Sequence, residues 1–263
     1  MGGGFMPQNI ERDGLKKDDA VVVTGAAQGL GRGIALRLAE GGARVALWDV
    51  KQDGVEEAAA LCREAGAADV MACIVDIGDE ASVRAGAHAV LEAWGAPYGL
   101  VNNAGIFSRL TVLEMNLKAW DRMLRVNVTG GFLCAKALGP AMIKAGRGAI
   151  VNFASGRALS GAAEAVSYGT TKGGVLAFTK GLAMEWAPYG IRVNAIMPGV
   201  AETAMPLEGT NLEELYSRGS RIPLGRIAQP EDLAAVVAFL LSRDSAYMTG
   251  QALGVNGGAL TVP

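Results

Sequence analysis

Tyr168 and Lys172 stand four positions apart in "SYGTTKGGV", residues 167–175, with small residues around them. On a helix such positions are neighbours, about 5–6 Å apart at Cβ. A phenol ordinarily titrates near ~10, too high for a base at neutral pH, and an adjacent ammonium stabilises the phenolate. The pair therefore suits proton transfer. A second cluster suits phosphate binding. In "TGAAQGLG", residues 24–31, the glycines let backbone N–H groups from Gly25 through Gln28, Gly29, Leu30 and Gly31 approach a pyrophosphate. The helix that opens there favours negative charge at its N-terminus. The spacing is G-x-x-x-G-x-G, not the standard G-x-G-x-x-G, and a tight strand-to-helix turn alone also uses glycine. Asp49 lies 18 residues beyond Gly31, close to the ~20 expected for the acid that binds an adenosine ribose. A carboxylate there accepts bonds from both ribose hydroxyls and repels a 2′-phosphate, which favours NAD over NADP. Lys51 nearby weakens that preference, and Asp49 could instead cap a turn.

These groups need a frame that holds them at one rim. "AVVVTG" (20–25), "RVALWD" (44–49), "DVMACIVD" (69–76), "YGLVNNAG" (98–105), "RGAIVNFASG" (147–156), "IRVNAIMPG" (191–199) and "QALGVNGG" (251–258) read as strands. Leu30, Ile34 and Leu38 recur at helical spacing. Further helices are expected in "GVEEAAALCREAG", "DEASVRAGAHAVLEAWG", "AEAVSYGTTKGGVLAFTKGLAMEWAPYG" and "PEDLAAVVAFLLS". A long helical region, residues 116–146, should be disturbed at its Gly and Pro residues. Alternation of strand and helix predicts an α/β fold with a doubly wound parallel sheet, covered on both faces. No linker divides the chain, so 19–263 reads as one domain after a flexible leader at 1–18. The pattern lapses over 200–229, a loop long enough to be functional. In such sheets ligands bind outside the carboxyl ends of the strands. Gly25–Gly31, Asp49, Asp76, Asn102–Gly105, Ser155 and Pro198–Gly199 all fall there.

Taken in order, "TGAAQGLG", "NNAG" (102–105), Asn127 in "RVNV", Ser155, "YGTTK" (168–172) and "PG" (198–199) followed by Thr203 resemble the short-chain dehydrogenase/reductase family over about residues 18–260. The resemblance implies a seven-stranded Rossmann sheet and hydride exchange between nicotinamide and a carbonyl or alcohol. It implies Tyr168 as general acid/base, with Lys172 and an oxidised nicotinamide lowering its pKa, and Lys172 on the nicotinamide ribose. Ser155 would steady the substrate oxygen, and Asn127 would support a relay water near the lysine. Asp76 and Ile77 resemble the adenine contacts, Asn103 and Ala104 those near the adenosine ribose. Pro198, Val200 and Thr203 resemble the carboxamide anchor, and 200–226 the substrate lid. Asn256 stands where the family often has Asp.

The rest of the chain narrows the field. A net charge of -2 gives no nucleic-acid surface. Cys62, Cys73 and Cys134 are odd in number and far apart, with neither disulfide nor zinc spacing. Such thiols suit a reducing cytoplasm. The one histidine, His88, reads as a helix-surface residue, so no metal site is expected. Residues 1–19 hold no apolar run of a secretory signal, and 233–241 is too short to span a bilayer. No membrane partner is expected. The leading expectation is an NAD(H)-dependent enzyme acting on a small secondary alcohol or ketone. An NADPH-dependent 3-oxoacyl carrier-protein reductase and a nucleotide-binding sensor without turnover are the alternatives. Leu159, Ala162 and Met205 hint at an apolar substrate pocket. Trp120, Leu133, Leu176, Phe178 and Leu182 could build a homo-oligomer interface, as is common in the family, or an ordinary core stripe.

Overall fold

A computed structural model describes residues 14–201 and 212–261. Seven strands, β1 (Ala20–Thr24), β2 (Arg44–Asp49), β3 (Asp69–Ile74), β4 (Gly99–Asn102), β5 (Gly148–Phe153), β6 (Ile191–Pro198) and β7 (Ala252–Val255), form one sheet in the order β3-β2-β1-β4-β5-β6-β7. Every neighbouring pair is parallel. Strands β1 and β5 are buried along their whole length, as expected where helices cover both faces. Alternate side chains feed two cores. Val21 and Val23 meet α1 (Gly29–Glu40), α2 (Gln52–Glu64) and the helix Pro230–Leu241, through Ile34, Leu38, Val55, Leu233 and Val237. Val22 faces the other way, toward α3 (Glu80–Trp94) and the helices that follow β4 and β5, through Val83, Leu138, Met142 and Trp186. The chain moves outward from β1 through β2 to β3, then returns to place β4 on the other side of β1. That reversal opens a crevice beside the ends of β1 and β4.

The region 116–146 differs from expectation in one respect. It runs as α4 (Leu117–Leu124), a π-helical segment Arg125–Thr129 and α5 (Gly130–Ala145). Pro140 sits inside α5 without ending it. The disturbance lies at the π segment, which carries Asn127. The continuous stretch Leu117–Ala145 is long and apolar enough to cross a membrane by length and composition. Its apolar residues Leu133, Cys134, Leu138 and Met142 are seated in the second core instead.

The short α6 (Arg157–Ser160) and long α7 (Val166–Trp186) follow β5, α8 (Leu212–Gly219) follows β6, and α9 (Pro230–Leu241) precedes β7. Residues 14–18, expected in the leader, lie against the fold: Leu15 N–H donates to Leu241 O, and Gly14 packs on the Ser242–Arg243 backbone. At this lower rim Arg147 bonds both carboxylate oxygens of Asp19, at 2.9 and 2.7 Å, and stacks on Tyr98. His88 is exposed on α3 beside Glu92, as expected. No group of metal-ligating side chains occurs among the described residues.

Candidate active site

The glycine loop is tied to β4 by a threonine. Thr24 Oγ1 accepts from the N–H groups of Asn103 and Ala104, at 3.1 and 3.0 Å, and donates to Val101 O. Asn103 Nδ2 returns two bonds, to Thr24 O and Gly25 O. The two strand ends therefore approach so closely that side chains are excluded. Gly25 has φ +67°, and a Cβ there would lie 2.9 Å from Ala104 Cα; a Cβ on Gly31 would collide with Gly25 O. Helix α1 begins at Gly29 with no side-chain cap from Gln28 and no acid in its first turn. Its leading N–H groups and its dipole are thus available to an anion. This cradle fits a dinucleotide pyrophosphate.

Asp49 ends β2 beside that loop. Its carboxylate accepts from Ala27 N and Lys51 N, both at 3.0 Å. It therefore does cap two turns, yet each oxygen keeps a second lone pair for a ribose hydroxyl. Lys51 Nζ bonds Gln28 Oε1 at 3.0 Å, so an ammonium stands at the same place. Asp76 is exposed and accepts from Gly78 N, while Ile77 is buried against Gly130. Both follow β3, on the carboxyl rim of the sheet.

The proton-transfer candidates meet on the other side of the switch point. Ser155, just past β5, stands close enough to the Tyr168 phenol on α7 to favour its phenolate. Lys172, 4 % exposed, donates from Nζ to Phe153 O at 2.6 Å and stands 5.6 Å from the Tyr168 ring centroid. Burial lowers the Lys172 ammonium to about 8. In the chain alone burial raises the Tyr168 phenol; Ser155 and the Arg157 charge oppose that rise without overcoming it, and the Lys172 ammonium is directed at the Phe153 carbonyl.

Asn127 is buried and fully used. Its Oδ1 accepts from Ile106 N at 2.8 Å, and its Nδ2 donates to Ile106 O, Thr171 Oγ1 and Met123 Sδ. It pins the loop after "NNAG" to the helices. Beside it lies a cavity of about 20 Å³, lined by Asn102, Asn127, Phe153 and Lys172 among others. That is room for one water. Asn102 Oδ1 is buried without a protein partner, although its Nδ2 bonds Asn152. A relay water near Lys172 fits these groups.

Pro198 ends β6, and Val200 O accepts from Ala228 N at 2.9 Å. Thr203 and Met205, with most of the expected lid's first half, lie outside the described residues. Helix α8 occupies part of its second half. Asn256 turns the last loop, donating to Leu260 O, and Leu260 packs against Gly156 beside Ser155. Leu159 is exposed on α6. Leu133 and Leu182 lie in the core, not on a free face. Sequence reasoning missed Thr24, Thr171 and Phe107. Thr171 donates to Tyr168 O and accepts from Asn127; its position three residues after Tyr168 was the available signal. Phe107 meets the Tyr168 ring edge-to-face at 5.1 Å.

Known proteins carry the same architecture. Residues 25–260 match the family model described as enoyl-(acyl carrier protein) reductase. The D-threitol dehydrogenase of Mycolicibacterium smegmatis is 40% identical over 90% of this chain and 91% of its own. The 2-(S)-hydroxypropyl-CoM dehydrogenase 3 of Xanthobacter autotrophicus is 36% identical over 94% and 98%. The crystal structure of levodione reductase superposes with a TM-score of 0.88 at 34% identity, covering 93% of this chain and 98% of that one. A fold, a crevice and a family match of this extent leave one assignment: the chain belongs to the short-chain dehydrogenase/reductase family, the NAD(P)-binding Rossmann-fold oxidoreductases that act on CH–OH groups.

Proposed function

We propose that this enzyme interconverts a small secondary alcohol and its ketone with NAD(H), using Tyr168 as the proton donor and acceptor. The observation that carries this reading is the meeting of Ser155, the Tyr168 phenol and buried Lys172 just past β5, with Lys172 Nζ 5.6 Å from the Tyr168 ring centroid. The cofactor, when bound, supplies or accepts the hydride. Ser155 and Tyr168 hold the substrate oxygen between two hydroxyls, which stabilises negative charge developing there. Tyr168 gives its proton to that oxygen in reduction and removes it in oxidation. The Lys172 ammonium steadies the phenolate that results, and Asn127 with the neighbouring cavity supports a water through which Lys172 exchanges protons with solvent. Asp76, Ile77, Asn103 and Ala104 line the adenosine end, while Pro198, Val200 and Thr203 anchor the carboxamide. Residues 200–226 serve as the lid.

Asp49 supports NAD as the preferred cofactor, because a carboxylate repels a 2′-phosphate. Lys51 favours a second reading, an NADPH-dependent 3-oxoacyl carrier-protein reductase, because its ammonium could receive that phosphate. The test is Tyr168→Phe assayed with both cofactors. Turnover should fall at least ~10²-fold, the scale of general acid–base catalysis, while cofactor binding, followed by fluorescence, persists. Unchanged turnover rejects the mechanism, and wild-type preference for NADPH favours the second reading. A cytoplasmic homo-oligomer without membrane or nucleic-acid partners completes the proposal.

A further inference from the structure

Arg157 begins α6, two residues after Ser155, and its backbone is wedged into the catalytic groups. Its N–H donates to Ser155 Oγ at 3.2 Å. Its carbonyl lies against Gly169, where a Cβ would stand 3.2 Å away. Gly169 directly follows Tyr168. The side chain, by contrast, is exposed and forms no ion pair among the described residues. Its side chain reaches Gly161 O from Nη1 at 3.4 Å, the outer limit of a hydrogen bond. The guanidinium is close enough to the phenol for its charge to favour the phenolate.

The surroundings sharpen the point. In the described loops that flank the mouth, 106–113 and 156–166, the charged residues are Arg109, Arg157 and Glu164. All three are exposed. The other residues of these two loops carry no charge, with Phe107 on the Tyr168 ring and Leu159 two residues along α6. A planar cation with five donors therefore stands beside the candidate reacting hydroxyls. A substrate that docks against those hydroxyls strips water from the guanidinium, and a neutral molecule offers nothing in return. An acid group offers a charge-assisted, bidentate pair that strengthens as water leaves.

We propose that Arg157 receives an anionic group of the substrate, so that the molecule turned over is a hydroxy or keto acid carrying a carboxylate, sulfonate or phosphate. This rests on the hydride-transfer reading above. Arg157 acts here as a specificity residue and takes no proton.

The test uses the full chain with saturating cofactor. Methyl ketones with one to four methylenes between the carbonyl and a carboxylate are each assayed beside the matching methyl ester. Sulfonate and phosphate analogues of the best length identify which acid is preferred. For at least one length, kcat/KM should favour the acid over its ester by at least about tenfold. Arg157→Gln should lower that ratio by about ten- to hundredfold, the scale of a hydrogen bond to a charged group. Arg157→Lys should restore part of it. The ratio cancels any effect of the variant on Tyr168 or on cofactor binding, and the preference should shrink as salt rises. An acid-to-ester ratio near one at every length, or one that Arg157→Gln leaves unchanged, overturns the proposal. Failure of acids and esters alike counts instead against the hydride-transfer reading itself.

Discussion

Burial acts in opposite senses on the two groups of the Tyr168–Lys172 pair: it raises the phenol and lowers the ammonium to about 8. Both shifts favour the neutral form. In an unfolded chain a lysine titrates near ~10.4. Between about 8 and that value the unfolded chain therefore holds the extra proton, and this residue makes stability rise with pH. Tyr168 contributes the opposite slope only between the ordinary phenol value of ~10 and its own raised value. We expect the wild type to gain on Lys172→Met between about pH 8 and pH 10, read as the difference in urea midpoint. A constant gap would mean that the folded protein does not shift this lysine. At this scale the chemistry was legible where spacing encodes it. Tyr168 and Lys172 lie four apart on one helix, and Ser155 ends a strand. The direction of the Tyr168 shift was not legible, because it depends on how deeply the folded chain buries the phenol. Thr171 and Arg157 were hidden for a similar reason: a threonine in a helix or an arginine in a loop has no signature until its neighbours are known.

The elements that position these groups work by close approach. At Gly31 there is no space for even a methyl group between Gly25 O and the Asn103 amide. Gly31→Ala should therefore spread β1 from β4. Overpacking of this kind costs about 1–3 kcal/mol, and NAD(H) affinity measured by fluorescence titration should fall more than ~10-fold. Retention of wild-type affinity would show that the cradle is looser than described. The glycine loop was readable because a strand, a glycine cluster and a helix follow in order. The π segment Arg125–Thr129 was not. Its residues continue an apolar helical pattern, and sequence periodicity over five residues cannot separate one hydrogen-bond spacing from another. Only the four bonds of Asn127 reveal what that segment holds.

At the scale of the molecule, parallel strands gather the described candidate groups at the carboxyl rim and leave the other rim for stability. Arg147 closes that lower rim through Asp19, Gly14 O and Tyr98. Arg147→Ala should cost about 1.5–3 kcal/mol, the range for hydrogen bonds to charged groups. For a chain of this size that lowers Tm by roughly 3–12 °C. KM should not change, and a rise in KM would show that the two rims are coupled. The parallel sheet covered on both faces was legible from the alternation of elements, but its strand order was not. The contact of residues 14–18 with Leu241 and Ser242 was not, since nothing in "GLKKD" marks it as part of the fold. The packing of Leu260 on Gly156 joins the last described turn to the loop that carries Ser155. A change of bulk at Leu260 is therefore transmitted straight to the candidate site, whereas one at Gly14 presses on Ser242 and Arg243 at the opposite pole.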